Sequence, residues 1–300
     1  MDMTQNKCCR HGASLRRRRR RRRKILCFII FSCSIIAVAV FVAVGIRMIT
    51  SGDGRTNRYD VEAGNNTYDN AVIENSKISE KNKIQNNQSM LDDIMNSTQY
   101  PKQLKDLALK NEEALEFVYD YPAEHVKEHT IDLTEEASMD SVPLFVQWDK
   151  RWGYEKYSGN FFAASGCGPT TLSMVVVYLT HNRDASPIAV AKYSKEAGYS
   201  VDGSGSSWTL ISEGCMHYGV KAKAVALDES RMKAELDEGH PIVVNVGPGD
   251  FTDTGHFMVI TGYDDEGFSI NDPNSIEKSG KRWLFKNISS QIRAVWSMYV

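Results

Sequence analysis

A run of 22 uncharged and mostly apolar residues near the amino terminus most constrains what this chain can fold into. It extends from Ile25 to Ile46 and contains no proline. As a helix rising 1.5 Å per residue it would be about 33 Å long, enough to cross a hydrocarbon core of about 30 Å. The apolar stretch of a cleaved secretory signal is shorter, about 7–15 residues, so the run favours a retained transmembrane helix over residues 25–46.

Nine consecutive cations, Arg16 to Lys24, stand directly before this segment. By itself such a run also fits nucleic-acid binding or nuclear import. Beside a spanning segment, however, Lys and Arg stay on the cytoplasmic side and meet anionic lipid headgroups. We therefore predict a cytoplasmic basic tail over residues 1–24 and a single-pass protein of the cell membrane, with the rest of the chain extracytoplasmic.

The charge of the chain is unevenly divided between this head and the remainder. Residues 1–47 hold 12 of the 36 Lys and Arg residues and a single acid, Asp2. From residue 48 onward the chain holds 24 basic and 37 acidic residues, a net charge of −13. A body that binds nucleic acid would need a positive surface, so we expect no nucleic-acid partner.

The cysteines argue against a disulfide framework and against a structural metal site. Of the six, only Cys167 and Cys215 lie beyond the apolar segment. The chain has no CxxC pair and no cluster of His and Cys at the spacing of zinc ligands. We expect no metal and no cofactor, and we leave open a Cys167–Cys215 disulfide as an inactive oxidised form.

Composition divides the rest of the chain into three parts. Residues 47–98 are rich in Asn, Ser, Lys, Asp and Glu without apolar periodicity, which is typical of a flexible stalk. Apolar residues return at helical spacing between Pro101 and Val118, which predicts a helical extension over residues 99–141 that packs on the body. Residues 142–300 have the composition of one packed domain and are long enough for one substantial core.

Within this body, helices are expected early and strands late, which is an α+β pattern. We predict a strand near Leu144 and then helices over residues 167–179, 188–197, 207–217 and 230–236. Strands are expected over residues 242–246, 256–263, 268–271 and 294–299.

The strongest local signal is SGCGPTTLSMVVVYL at residues 165–179. Gly166 and Gly168 flank Cys167, and Pro169 suits the first turn of a helix, where its missing N–H costs nothing. Cys167 is therefore expected at a helix amino terminus, where unpaired N–H groups favour the thiolate over the thiol. A small buried core cysteine is the alternative, but it would need neither the glycines nor the helix start.

A thiolate nucleophile needs a base and a group that orients the base. His256 opens a predicted strand, and Asp272 closes the next one. A three-residue turn at residues 265–267 would set Ile260 opposite Asp272 and put His256 on the same face of the sheet. A bend would still be needed to join the two side chains. The alternatives are a core histidine at 256 and simple turn chemistry at Asp272 before Pro273.

Together these motifs resemble a known family, the papain-superfamily cysteine peptidases related to double-glycine leader peptidases (peptidase family thirty-nine and its stand-alone relatives). The resemblance covers about residues 100 to 300. It rests on VPLFVQWDKRWGY at 142–154, SGCGPTTLSMV at 165–175, GPGDFTDTGHFMVITGYD at 247–264 and INDPNS at 270–275.

The resemblance implies a papain-like fold with helices first and an antiparallel sheet at the carboxyl end. It also implies that Cys167 is the nucleophile, His256 the base and Asp272 the orienting group. Gln147 would supply the side-chain donor of the oxyanion hole. In papain-like enzymes that glutamine lies only a few residues before the cysteine, whereas here the gap is twenty. Either an insertion spans residues 148–166 or the hole is built otherwise.

Three functions fit these residues. The first is an extracytoplasmic cysteine peptidase that acts on peptides or proteins. The second is an amidase or endopeptidase of the cell-wall peptide with the same chemistry, and the third is a non-catalytic surface module that keeps the fold. Leader processing beside a transporter is disfavoured, because the predicted topology points outward and the chain has no nucleotide-binding domain.

Overall fold

The computed structural model describes residues 65–300, with side chains from residue 79 onward. The chain divides into Met1–Ala71 and Val72–Val300, and the side-chain packing reported below belongs to the second unit. The predicted basic tail, the predicted transmembrane helix and the first part of the predicted stalk lie outside the described residues. Between residues 65 and 300, no helix combines the length and the apolar character needed to cross a membrane.

Helices dominate the first half of the described chain. The α-helices are α1 (Asn65–Asn96), α2 (Lys102–Lys110), α3 (Leu115–Tyr119), α4 (Tyr121–Glu124), α5 (Thr134–Ser138), α6 (Phe162–Ser165), α7 (Cys167–Thr180), α8 (Pro187–Glu196), α9 (Thr209–Ser212), α10 (Glu229–Asp237), α11 (Ile276–Ser279) and α12 (Phe285–Ile288). Short 3₁₀ turns cover Glu112–Ala114, Gly214–Tyr218 and Ser289–Gln291.

The strands cluster in the second half. They are β1 (Lys156–Tyr157), β2 (Asn160–Phe161), β3 (Ser200–Val201), β4 (Gly205–Ser206), β5 (Lys221–Ala224), β6 (Ile242–Val246), β7 (His256–Asp264), β8 (Gly267–Asn271), β9 (Arg282–Trp283) and β10 (Ile292–Tyr299). The main sheet has the order β5-β10-β6-β7-β8-β9, and its pairs are antiparallel. This mixture of helices and an antiparallel sheet confirms the predicted α+β class.

Both faces of the main sheet are covered, which explains why the central strand β6 is buried at every position. On one face, Val243, Phe257 and Val259 pack with the apolar residues of α7. On the other face, Val244 and Met258 belong to a second core that includes residues of α10 and α12. Helix α7 is buried from Gly168 to Leu179, as expected of a helix that is apolar on all sides.

The helical extension packs on the body through a third apolar core, which we call the extension cluster. Its buried members are Ile94, Leu104, Leu107, Ala108, Ala114, Leu115, Phe117 and Val118 together with Phe161 and Ala163 of the body. The sequence predicted a flexible stalk up to residue 98, whereas the structure has helix α1 over residues 65–96. Ile94 at the end of this helix is fully buried in the cluster, and that burial stabilises its last turns.

Asn111 breaks the apolar pattern of the extension into two helices, α2 and α3. Its backbone is extended (φ −136°, ψ 100°), and its side-chain oxygen accepts a hydrogen bond from the N–H of Glu113. A side chain that satisfies a free backbone donor in this way starts a new turn. The extension therefore contains two helices, α2 and α3, where one continuous helix would otherwise run.

Two sequence predictions about local structure were wrong. The strand expected near Leu144 is irregular, because the side-chain amide of Asn271 bonds the carbonyls of Val142 and Pro143 where a partner strand would pair. The helix expected over residues 207–217 is divided into α9 and a 3₁₀ turn.

The predicted register of β7 and β8 was also wrong. Asp264 pairs with Gly267, so the turn between the strands has two residues and not three. The ladder then shifts just after Ile260, which pairs with Ile270 and not with Asp272. A β-bulge of this kind bends the strand and increases its twist. Asp272 therefore lies just past the end of β8, in a loop that closes on the amino end of β7.

Candidate functional site

Cys167 is the first residue of α7, as predicted, and its flanking glycines serve close packing. Neither has the left-handed backbone that only glycine tolerates. An added Cβ at Gly166 would lie 2.6 Å from the ring of Phe162, and one at Gly168 would lie 2.5 Å from Ser206 Oγ. The glycines thus allow α6, α7 and β4 to approach closely, and Cys167 remains half-buried at the helix start.

His256 is the first residue of β7, where it pairs with Val246 at the end of β6. Two side-chain hydrogen bonds hold this end of the strand. Asn245 Nδ2 donates to the carbonyl of His256 at 3.2 Å, and Thr171 Oγ1 donates to the carbonyl of Phe257 at 3.0 Å. Because Thr171 lies one turn after Cys167, its bond ties the start of α7 to the start of β7.

Three of the four predicted site residues form one hydrogen-bonded series. His256 lies within hydrogen-bond reach of Cys167 on one side. On the other side, His256 Nε2 is 2.7 Å from Oδ1 of Asp272, a fully buried residue. The same carboxylate oxygen accepts the N–H of Asn274 at 2.8 Å. The imidazole is thereby fixed between a thiol and a carboxylate.

Electrostatics favours charge separation within this series. Burial by itself would raise the pKa of the Cys167 thiol, but the hydrogen bond and positive charge of His256 outweigh it and lower that pKa below its ordinary value. Burial would likewise lower the pKa of His256, and the carboxylate of Asp272 outweighs it and raises that pKa. A thiolate beside an imidazolium is the arrangement that these two shifts stabilise.

Two open clefts meet at Cys167. The Trp208 cleft, of about 700 Å³, is lined by Trp208, Gly205, Gly247 and Arg293 among others. The Gln147 cleft, of about 510 Å³, is lined by residues that include Gln147, His256, Lys110 and Lys278. Cys167, Ala164 and Gly255 line both clefts, so an extended chain laid from one to the other would pass the sulfur.

The sequence model of the Peptidase_C39 like family matches residues 139–300, more than half of the chain. The chain belongs to this family. The matched segment contains Cys167, His256, Asp272 and Gln147, and it begins after most of the helical extension. The family assignment agrees with the resemblance found in the sequence motifs.

Two solved structures are similar to this member of the family. The peptidase domain of Streptococcus ComA, a bi-functional ABC transporter involved in quorum sensing, is 19% identical with a TM-score of 0.38, and the match covers 53% of this chain and 96% of that one. A putative C39-like peptidase from Bacillus anthracis is 16% identical with a TM-score of 0.32, covering 53% and 95%. No curated protein matches the chain.

Gln147, the fourth predicted site residue, lies in the Gln147 cleft beside Cys167 although twenty residues separate the two in this family member. Its Nε2 donates to the carbonyl of Ala163 at 2.7 Å, which uses one of the two amide hydrogens. Its Oε1 is buried and accepts no hydrogen bond from any described residue. The residues between Gln147 and Cys167 form β1, β2 and α6, which return the chain to the same place.

Other large or reactive side chains of the body are divided between cleft and core. Trp208 is about half exposed and lines a cleft, whereas Trp152 is buried at 1% exposure. Cys215 is buried, and burial raises its pKa to about 11. Both cysteines of the body are free thiols. Within residues 65–300, no group of three His, Cys, Asp or Glu side chains is placed to hold a metal ion.

Sequence reasoning missed two contributors to the site. The first is Thr171, whose spacing of four residues from Cys167 on a predicted helix indicates a shared face and could have found it. The second is the extension, most of which lies outside the segment matched by the family; its Gln103 and Lys110 line the Gln147 cleft. No local sequence pattern indicates that second contribution.

Proposed function

We propose that this chain is a membrane-anchored cysteine peptidase that hydrolyses peptide bonds outside the cytoplasm through an acyl-enzyme on Cys167. The observation that carries the proposal is the hydrogen-bonded series of Cys167, His256 and Asp272 at the junction of two clefts. Peptides or proteins are the substrates that membership of a peptidase family implies.

In the first half of the reaction, the Cys167 thiolate attacks the carbonyl carbon of the scissile bond. The developing oxyanion accepts two hydrogen bonds, one from the backbone N–H of Cys167 and one from the second N–H of Gln147 Nε2. The N–H of Cys167 has no intrahelical acceptor, because Cys167 is the first residue of its helix. The C–N bond then breaks, and the imidazolium of His256 gives its proton to the leaving amine. Asp272 keeps the imidazole in the orientation that this transfer needs.

In the second half, water attacks the thioester carbonyl while neutral His256 takes a proton from that water. The C–S bond breaks, the acyl half leaves as a carboxylic acid that gives its proton to bulk water, and the thiolate–imidazolium pair is restored. Charge separation in the resting site supports both halves, because the nucleophile is ionised before the substrate arrives.

The position of His256 assigns the two halves of a substrate to the two clefts. The leaving amine must come within reach of the imidazole, and His256 lines the Gln147 cleft. The acyl half of the substrate then occupies the Trp208 cleft, which is lined by Gly203, Gly205 and Gly247 and so allows close approach of a peptide backbone.

The cellular location in this proposal rests on the sequence. The uncharged run from Ile25 to Ile46 would anchor the chain, and the cations from Arg16 to Lys24 would keep the amino terminus in the cytoplasm. The body is then carried outside the membrane. Tagging each end of the chain in intact cells and testing protease accessibility would measure this topology, and a protected carboxyl terminus would contradict it.

The enzymatic part is tested on the full chain in detergent under reducing conditions. A small alkylating probe is added, and mass spectrometry locates the labelled cysteine. We expect label at Cys167, and we expect cleavage of a peptide library that disappears in Cys167→Ala and His256→Ala. Cleavage that persists in Cys167→Ala would show that Cys167 is not the nucleophile.

The substrate class is read from the same samples. Digestion of protein-derived peptides supports the proposal as stated. Activity on cell-wall peptide alone would indicate an amidase or endopeptidase of the cell wall that uses the same chemistry. Failure of Cys167 to label while exposed control thiols do would favour a non-catalytic module.

A further inference from the structure

Hydrogen bonds within residues 272–279 hold the loop that carries Asp272. The N–H of Asp272 donates to Ser279 Oγ at 2.9 Å, and the N–H of Ser275 donates to the carbonyl of Asp272 at 3.2 Å. Asn274 N–H donates to the same carboxylate oxygen that faces His256. A displacement of residues 274–276 would therefore move the carboxylate that fixes the imidazole.

Two side chains of the helical extension hold this loop from outside. The Glu113 carboxylate accepts hydrogen bonds from Ser275 Oγ, from the N–H of Ile276 at 2.7 Å and from the N–H of Glu277 at 3.1 Å. Asn111 Nδ2 donates to the carbonyl of Asn274 at 2.9 Å. These bonds join residues about 163 positions apart in sequence.

The segment that carries Glu113 and Asn111 is itself anchored. Ala114 and Leu115, which follow directly, are buried in the extension cluster at 0% and 4% exposure. The cluster also contains Ala163, whose carbonyl accepts the amide of Gln147. The extension is thus packed against the body on the oxyanion side and bonded to the Asp272 loop on the other.

We propose that Glu113, assisted by Asn111, is a positioning residue for Asp272, so that the extension is part of the catalytic unit. The proposal rests on the function proposed above and adds to it a residue that lies outside the segment matched by the family. Glu113 touches no reacting atom. It fixes the loop, the loop fixes the carboxylate, and the carboxylate sets the charge of His256 and hence that of Cys167.

The measurement is the pH dependence of Cys167 alkylation by iodoacetamide in the full chain, which reports the pKa of the thiol without a known substrate. Asp272→Asn is expected to raise that pKa, because the imidazolium loses its counter-charge. Glu113→Gln, a substitution of equal size, should raise it in the same direction by roughly half a unit to one unit. Below the thiol pKa this is a loss of about 3- to 10-fold in alkylation rate.

A matched control is available at the adjacent position. Glu112 belongs to the same 3₁₀ turn but is exposed and bonds the side chain of Asn87 in α1. Glu112→Gln makes the same charge change and is expected to leave the thiol pKa unchanged. A role of Glu113 in stability alone would change the unfolding temperature but not this pKa.

The double variant separates positioning from an independent effect. If Glu113 acts through Asp272, then Glu113→Gln has no further effect on the thiol pKa in the Asp272→Asn background. Should Glu113→Gln fail to fold, Asn111→Asp replaces it, because this change keeps the Oδ1 acceptor for Glu113 N–H and removes the donor to Asn274.

The results that overturn the inference differ from those that overturn the proposed function. If the thiol pKa is raised in Asp272→Asn but keeps its wild-type value in Glu113→Gln, then Glu113 does not position Asp272, and the proposed triad is unaffected. Additive shifts in the double variant also remove it. A wild-type pKa in Asp272→Asn removes the triad, and with it the positioning role.

Discussion

Gly168→Ala tests whether the approach of β4 to the start of α7 sets the position of Cys167. The backbone of Gly168 is helical, so alanine by itself would favour the folded state by about 0.5–1 kcal/mol. Opposing this, the new Cβ would lie 2.5 Å from Ser206 Oγ and 2.7 Å from Ser206 Cβ. The sign of the effect therefore depends on whether Ser206 can move.

Ser206 has little freedom to move. Its Oγ is 2.6 Å from the hydroxyl of Tyr157, and its Cβ is fixed to strand β4, so rotation of the hydroxyl relieves only one of the two contacts. Overpacking of this kind costs about 1–3 kcal/mol. Because one of the two contacts is with the fixed Cβ of Ser206, the upper part of this range applies. After the gain from alanine we expect a net loss of about 1–2.5 kcal/mol, or roughly 2–10 °C in unfolding temperature for a domain of this size.

The assay combines thermal unfolding of the full chain in detergent with the rate of Cys167 alkylation. We expect the alkylation rate at neutral pH to fall as well, because a displaced helix start weakens the hydrogen bond between the thiol and His256. Gly262→Ala is the control, since an added Cβ there meets no atom within 4 Å.

A double-variant cycle isolates the contact. Ser206→Gly removes both close atoms, so in that background Gly168→Ala should cost nothing or stabilise slightly. Wild-type unfolding temperature and wild-type alkylation in Gly168→Ala alone would refute the reasoning, as would an equal loss in the Ser206→Gly background.

Three further predictions concern the site itself. The rate of substrate cleavage should rise with pH as Cys167 ionises, at a pKa below the ordinary thiol value. It should fall again only above the ordinary pKa of histidine, where His256 loses its proton. A rate that only rises, at the ordinary thiol pKa, would argue against the pair. Gln147→Ala should lower turnover by about 10²–10³ with little change in Cys167 alkylation, and wild-type turnover would mean that another group supplies the oxyanion donor. Cys215, whose pKa burial raises to about 11, should stay unlabelled in the folded chain, and Cys215→Ala should take up as much label as wild type.

The parts of the site that sequence could predict are those with local signals. A cysteine between two glycines before an apolar helix predicts the start of α7, and a histidine that opens a run of apolar residues predicts the start of β7. Strand β6 was predicted at its observed bounds, Ile242–Val246, because a short apolar run after Pro241 has few alternatives. In each case the relevant interactions lie within a few residues of one another.

The parts that sequence could not predict depend on partners distant in the chain. The register of β7 and β8 depends on a bulge that no residue pattern marks, and the break at Asn111 coincides with a bond to Asn274, which lies 163 positions later in the sequence. The sequence around Glu113 does not distinguish it from other surface acids, because its hydrogen-bond donors come from residues 275–277. Tertiary contacts override local propensity at these positions.

Because the site is assembled from distant segments, the ionised pair exists only in the folded chain, and this has a consequence for stability. The raised pKa of His256 contributes stability that is complete below its ordinary value of 6.5 and is lost as pH rises through the folded value. The lowered pKa of Cys167 contributes stability that is complete above its ordinary value of 9.0 and is lost as pH falls through the folded value. At a pH between 6.5 and 9.0 at which the folded Cys167 is already ionised, the folded pair and the unfolded pair each hold one proton, so the two slopes cancel. Across that window the pair changes the reactivity of the thiol without making the stability of the fold depend on pH.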